Sequence, residues 1–174
     1  GDQIVTASKD RTARVWDLAG NQLAVMNGHA AWVWCAHFSP SGERIVTSSR
    51  DRTAKVWDTS GHELVSLRGH EEWVLYAAFS PAGDRIVTTS FDKTARVWDL
   101  DGTQLTVLRG HGDIVNSAAF SGPGDRLVTA CRDGTIATWL LHPGELLRLA
   151  DSRVTRDFTP DEWRTYGELL GAAK

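Results

Sequence analysis

Apolar and polar residues alternate along short stretches of this chain, and each stretch stops at a cluster of glycine, proline, serine or aspartate. A period of two, interrupted by turn residues, is the mark of short antiparallel strands. Between residues 28 and 68 the pattern predicts four. The first covers 32–38 (WVWCAHF) and is ended by Ser39, Pro40 and Gly42; the second covers 44–49 (RIVTSS). The third, 53–57 (TAKVW), follows through Arg50, Asp51 and Arg52, and the fourth, 63–67 (ELVSL), is entered through Ser60 and Gly61. Four strands of this length cannot enclose a core by themselves, whereas sheets stacked face to face bury both of their faces.

The same pattern returns every 41 residues. GDQIVTAS begins at Gly1, GERIVTSS at Gly42, GDRIVTTS at Gly83 and GDRLVTAC at Gly124. Trp16, Trp57, Trp98 and Trp139 keep that register, as do Asp10, Asp51, Asp92 and Asp133, and as do His29, His70 and His111. IVTSSRDRTAKVWD and IVTTSFDKTARVWD agree at ten of fourteen positions, for which recent duplication is the simplest cause. A fixed period of this length announces a repeat architecture.

Gly28-His29, Gly69-His70 and Gly110-His111, with Trp16-Asp17, Trp57-Asp58 and Trp98-Asp99, resemble the GH and WD pairs of the WD-repeat β-propeller family. FSP at Phe38 and Phe79 and the SxDxT turns at Ser49 and Ser90 match as well, and the likeness covers about residues 1–150. It implies an all-β fold, a propeller segment of about four blades. The first blade is incomplete at 1–27 and lacks its innermost strand; full blades follow at 28–68, 69–109 and 110–150, fifteen strands in all. Trp139 is followed by Leu140 where the pattern has Asp, and Gly122 stands where the turn has proline. Terminal repeats are usually atypical because they cap. The missing part of the ring is expected from further blades of a parent chain or from a second copy, with a single closed four-bladed ring as the alternative.

The resemblance also implies buried hydrogen-bonded tetrads: His29, Thr47, Asp51, Trp57; His70, Thr88, Asp92, Trp98; and His111, Thr129, Asp133, Trp139. Thr47 is preferred to Ser49 because a turn centred near Arg52 would place Thr47 opposite Trp57. Such sets look like catalytic triads or metal ligands. Each lies in a different blade, however, and an Asp that orients a His toward an indole N–H leaves no nucleophile free. His37, His62 and His142 do not recur at their repeat positions, so no metal site is built from them. No catalytic residue, cofactor or metal is expected, and no glycine loop of the phosphate-cradling kind is present.

Three further tryptophans fall outside the tetrads. Trp32, Trp73 and Ile114 lie three residues after their GH histidine, and Trp34, Leu75 and Asn116 lie five after. Alternation puts each pair on one side of the inner strand, with Val33, Val74 and Val115 facing the other way. In the family these positions, with the residue before the turn Asp, here Lys9, Arg50, Phe91 and Arg132, border the mouth of the central channel. Aromatics and arginines of this kind are enriched at binding hot spots, and the rim they form is the expected site for a protein or peptide ligand. The competing reading is that the rings fill the wedge between blades. The recurring Arg14, Lys55 and Arg96, with Arg11, Arg52 and Lys93, stand beside acidic residues and read as a solvated charged face.

After a last strand at 145–149 the composition changes. Thr159, Pro160, Asp161 and Glu162 form a capping box, and a helix over 160–170 puts Trp163, Tyr166, Leu169 and Leu170 on one face, with Gly171 as its stop. That face docks either on its own propeller as a lid or on a partner. The tail over 151–174 carries RVTRDFTPDEW, similar to the ends of bacterial multidomain WD-repeat proteins whose propeller follows a signalling NTPase, kinase or caspase-like protease. This likeness implies a cytoplasmic ligand-sensing or regulatory propeller.

Composition narrows the remaining classes. Nineteen Lys and Arg against 22 Asp and Glu give a net charge of −3, which offers no field for holding a phosphate backbone. No apolar run approaches the roughly 20 residues of a membrane span. Cys35 and Cys131 have no ligand-spaced partners and point to a reducing compartment. Two functions from different classes remain: a non-enzymatic interaction scaffold, and a purely structural or engineered repeat array that self-assembles into a ring.

Overall fold

A computed structural model describes residues 2–141. Gly1 and residues 142–174 lie outside that range, and with them His142, the strand predicted at 145–149, the tail over 151–174 and its helix over 160–170. Among the described residues there are fourteen strands in four antiparallel sheets. The first holds β1 (Gln3–Ala7), β2 (Thr12–Asp17) and β3 (Gln22–Asn27). In the second are β4 (Val33–Phe38), β5 (Arg44–Ser49), β6 (Thr53–Asp58) and β7 (Glu63–Arg68). The third comprises β8 (Val74–Phe79), β9 (Arg85–Ser90), β10 (Ala95–Asp99) and β11 (Gln104–Leu108). The fourth has β12 (Val115–Phe120), β13 (Arg126–Cys131) and β14 (Ile136–Leu140). Strands pair in chain order within each sheet, so every connection inside a sheet is a hairpin.

The sheets stack. Ala13, Val15 and Met26 of the first pack on Val33, Ile45 and Trp57 of the second. From the other face of the second sheet, Val46, Val56 and Leu67 pack on Val74, Ile86 and Trp98 of the third. Both faces of a middle sheet are therefore dry, and Ile45 to Ser49 are buried without alternation. The two outer faces are different. Ile4 of the first sheet is 49% exposed although its repeat equivalents Ile45, Ile86 and Leu127 are fully buried. Val128 and Ile136 of the fourth are 39% and 71% exposed where Val87 and Ala95 are fully buried.

Two registers differ from the sequence reading. Ile45, and not Thr47, stands opposite Trp57; Thr47 faces Lys55. The link from β5 to β6 is centred on Asp51, with Arg52 in the left-handed region at φ 71°. Arg11 and Lys93 share that conformation, and the fourth repeat puts Gly134 there at φ 86°. Alternation also fails at the start of each inner strand. Val33 faces Ser49 and Cys35 faces Ser48, so Trp34 is the extra residue of a β-bulge, and Leu75 and Asn116 hold the same place in β8 and β12.

Candidate functional site

Three side-chain chains of hydrogen bonds hold the recurring polar residues. In the second sheet the Trp57 indole N–H donates to Thr47 Oγ1 at 2.8 Å, and that hydroxyl lies 2.7 Å from His29 Nε2. His29 Nδ1 is 2.8 Å from Asp51 Oδ2. One proton order satisfies every group: the Thr47 hydroxyl donates to Nε2, and Nδ1–H donates to the carboxylate. Trp57 reaches Thr47 diagonally across the hairpin, two residues off its direct partner, a distance a long ring can span. The third sheet repeats the arrangement with Trp98, Thr88, His70 and Asp92 at 2.8, 2.8 and 2.7 Å. In the fourth, Trp139, Thr129 and His111 are joined at 2.8 and 2.6 Å, but His111 Nδ1 meets the Thr135 hydroxyl at 3.5 Å and makes no hydrogen bond to Asp133. The structure thus brings together eight residues as two complete sets and leaves the third set one member short.

Thr53, Thr94 and Thr135 belong to these chains as well, and the sequence reading did not assign them. Each hydroxyl donates to its turn Asp at 2.6 Å. Their signal was available, since a Thr recurs at this place in all four repeats. Burial alone would raise the Asp51 carboxyl, but hydrogen bonds from His29, Thr53 and the Ala30 N–H overcome it and hold it well below the usual carboxylate range. Asp92 is held down in the same way through His70, Thr94 and the Glu71 N–H. Burial pushes the His70 imidazole below its ordinary value, against the attraction of Asp92. A Thr, a His and an Asp in line have the outline of a nucleophilic triad. Yet Thr47 and Thr88 are fully buried and their protons are committed, so no substrate carbonyl can approach.

The basic positions correct an expectation. Lys55 and Arg96 are buried at 5% and 7% exposure and are not part of a solvated face. Lys55 Nζ donates to Glu63 Oε2 at 2.7 Å and to Ser66 at 3.0 Å, while Arg96 donates to Gln104 at 2.6 Å. Both lie on the tetrad side of their sheet beside the GH glycine. A Cβ on Gly28 would come within 3.0 Å of the Trp57 ring, and one on Gly69 within 2.6 Å of Arg96. Arg14, the equivalent in the first sheet, is partly exposed and donates instead to Asp10 at 2.7 Å.

At the end of the sheets where the inner strands begin, the rim residues form a continuous stack. Lys9 Nζ lies 4.7 Å from the centroid of the Trp32 ring, on the first sheet's side. The Arg50 guanidinium lies over Trp32 at 5.1 Å and over Trp73 of the third sheet at 4.0 Å, and Trp73 meets Phe91 at 4.9 Å. The backbone fixes the pairs, since Arg50 N–H donates to Trp32 O and Phe91 N–H to Trp73 O. Trp34 stands edge-on to Trp32 at 6.1 Å and is 40% exposed. Trp32, Arg50, Trp73, Leu75 and Phe91 are half-buried, and Lys9, Asn116 and Arg132 are exposed. Ile114 is buried at 7% and does not join the open surface. Arg132 lies apart from the stack, 3.6 Å from Asp113. The rings both bridge neighbouring sheets and present an edge to solvent.

Among the described residues no helix is long and apolar enough to cross a membrane, and no group of three His, Cys, Asp or Glu is placed to hold a metal ion. The WD domain, G-beta repeat family matches residues 1–17, 20–58, 61–99 and 102–139. Each of the last three matches begins with or just before the outermost strand of one sheet and takes its other three strands from the next, so the repeat straddles two sheets. The chain is 54% identical over 39 residues to the WD repeat and SOCS box-containing protein 1 of Xenopus tropicalis, a segment covering 21% of this chain and 9% of that protein. It is 51% identical to the protein of that name from Homo sapiens, again over 39 residues with the same coverage. Against the non-functional target of rapamycin complex subunit LST8-2 of Arabidopsis thaliana it is 46% identical over 41 residues, which cover 23% of this chain and 13% of that protein.

Proposed function

The chain belongs to the WD-repeat family, whose members are generally non-enzymatic scaffolds for protein–protein interaction, and from that premise we propose that the rim built on Trp32, Trp34, Arg50, Trp73 and Phe91 is its partner-binding surface. The observation that carries the proposal is the contrast between the two groups of tryptophans. Trp57 and Trp98 are 1% exposed and hydrogen-bonded inside the sheets, whereas Trp34 is 40% exposed and its bulge position tolerates Leu75 and Asn116. A random-peptide library panned against the whole chain tests it. Rim-directed binders should lose about tenfold or more in affinity on Trp34→Ala or Trp73→Ala, as hot-spot aromatics do. Binders that ignore both substitutions would contradict the assignment.

Completion of the ring is a second part of the proposal. The outer faces at Ile4 and at Val128 and Ile136 expose residues whose equivalents are buried between sheets, which supports a further WD-repeat blade as their cover. Such blades come from additional repeats or from a second copy. Light scattering of the purified chain at micromolar concentration reads this directly: association is expected, and a stable monomer would leave a closed four-bladed ring in its place. A cytoplasmic bacterial signalling setting rests on the tail sequence alone.

A further inference from the structure

The Arg50 guanidinium has no carboxylate partner among the described residues; its contacts are the rings of Trp73 at 4.0 Å and Trp32 at 5.1 Å. A guanidinium carries all five N–H donors in its own plane. The two rings hold the group in place, and none of its side-chain N–H donors makes a hydrogen bond among the described residues. The rings also exclude water from that donor edge, which strengthens any bond the edge makes to an anion. Arg50 is half-buried, so the edge reaches solvent at the rim without being fully hydrated.

The neighbouring charges limit the anion. Asp51 and Asp92 point inward to His29 and His70, and Asp113 is next to Arg132. Glu71 and Glu72 precede Trp73 on the same loop and are exposed. Lys9, 4.7 Å from the Trp32 ring, is the second cation held by a ring of the rim. Arg52, also exposed, is turned to the Glu71 carbonyl at 3.4 Å, so beside the two exposed glutamates Arg50 offers its edge alone, which suits a single negative charge better than a doubly charged phosphate that needs several converging donors. A carboxylate is also planar and takes two parallel N–H bonds from one guanidinium edge.

We propose that this slot recognises an acidic side chain of a peptide partner: its carboxylate pairs side-on with Arg50 and an apolar neighbour rests on Trp34. The inference depends on the rim being the partner surface. Its test uses the whole isotope-labelled chain and three probes, acetyl-Gly-Leu-Glu-Leu-Gly-amide, its Gln counterpart and its phosphoserine counterpart, followed through the indole N–H signals of Trp32, Trp34 and Trp73. The Glu peptide should shift these signals, and affinity should fall about tenfold on going to the Gln peptide or to Arg50→Gln, the loss of one bidentate charged contact. Arg50→Lys should not restore it, because an ammonium has no fork. An unchanged Trp98 indole signal verifies that each variant remains folded. Equal shifts with the Gln peptide would overturn acid recognition while leaving a peptide-binding rim. Tighter binding of the phosphoserine peptide would overturn it in favour of a phosphate site. Library-derived binders that leave all three indoles unmoved would remove both the slot and the rim.

Discussion

Gly61 and Gly20 occupy the same place in consecutive repeats, and the structure gives them different surroundings. Both lie at positive φ, 93° and 87°. A Cβ on Gly20 would meet nothing within 4 Å, but one on Gly61 would fall 2.6 Å from the carbonyl oxygen of Val25, in β3 of the preceding sheet. Replacement by Ala adds left-handed strain at both sites, roughly 1–2 kcal/mol, and at both it reduces unfolded-chain freedom equally. These contributions cancel in the difference between the two variants. What remains for Gly61 is the collision. Relieving it means moving the β6–β7 turn away from β3 or pulling β3 off β2, an overpacking cost of about 1–3 kcal/mol. Gly61→Ala should therefore cost about 2 kcal/mol more than Gly20→Ala in urea unfolding of the whole chain at constant m. Gly102→Ala belongs between them, because its Cβ would meet the Val65 Cγ1 methyl at 2.7 Å, a side chain that can turn away. Losses equal within about 0.5 kcal/mol at Gly20 and Gly61 would refute the close stacking of the first two sheets.

Thr47→Val keeps the shape but removes both the acceptor for Trp57 and the donor to His29, and should cost about 2–3 kcal/mol, against a smaller loss for Thr129→Val beside the more exposed Trp139; denaturant midpoints compare the two. Arg52→Gly relieves the left-handed backbone at the loss of one 3.4 Å contact to Glu71 O, so the unfolding free energy from urea titration should rise by up to about 1 kcal/mol. Stability should also follow pH in two steps. The lowered His70 binds a proton more weakly when folded than when unfolded, so stability starts to fall as pH drops through about 6.5. Asp51 and Asp92 are depressed, so their contribution is full above about pH 4 and is lost below it; Asp51→Asn should flatten that second step in a pH series of urea midpoints.

The 41-residue period made most of this architecture readable, because each turn and strand cue returns in three or four copies. Predicted strands at 44–49 and 63–67 agree with β5 and β7 to within a residue. The centre of the turn was misread by one residue, and the pairing opposite Trp57 therefore by two, because a left-handed Arg52 tightens the turn, and arginine gives no warning of positive φ where glycine, as at Gly134, would. The bulge at Trp34 inserts an unpaired residue that no alternation pattern reveals. Lys55 and Arg96 looked solvated since charge usually is; their partners, Glu63 and Gln104, sit on a strand eight residues away in sequence and become neighbours only when β7 and β11 pair with β6 and β10. Ile114 was placed on the rim by its equivalence to Trp32 and Trp73, but its smaller side chain stays within the fold.

The central claim is that the seven tryptophans among the described residues divide into braces and a surface. Unfolding free energies of Trp98→Ala and Trp73→Ala, measured side by side, test it most directly. Trp98 is 1% exposed, and its loss empties a large packed site and takes the indole donor from the Thr88 hydroxyl, so Trp98→Ala should cost about 3–5 kcal/mol. Trp73 has only ring and cation contacts at a half-open edge, and Trp73→Ala should cost less than about 2 kcal/mol. Equal losses would show that the rim rings are core and would contradict the division.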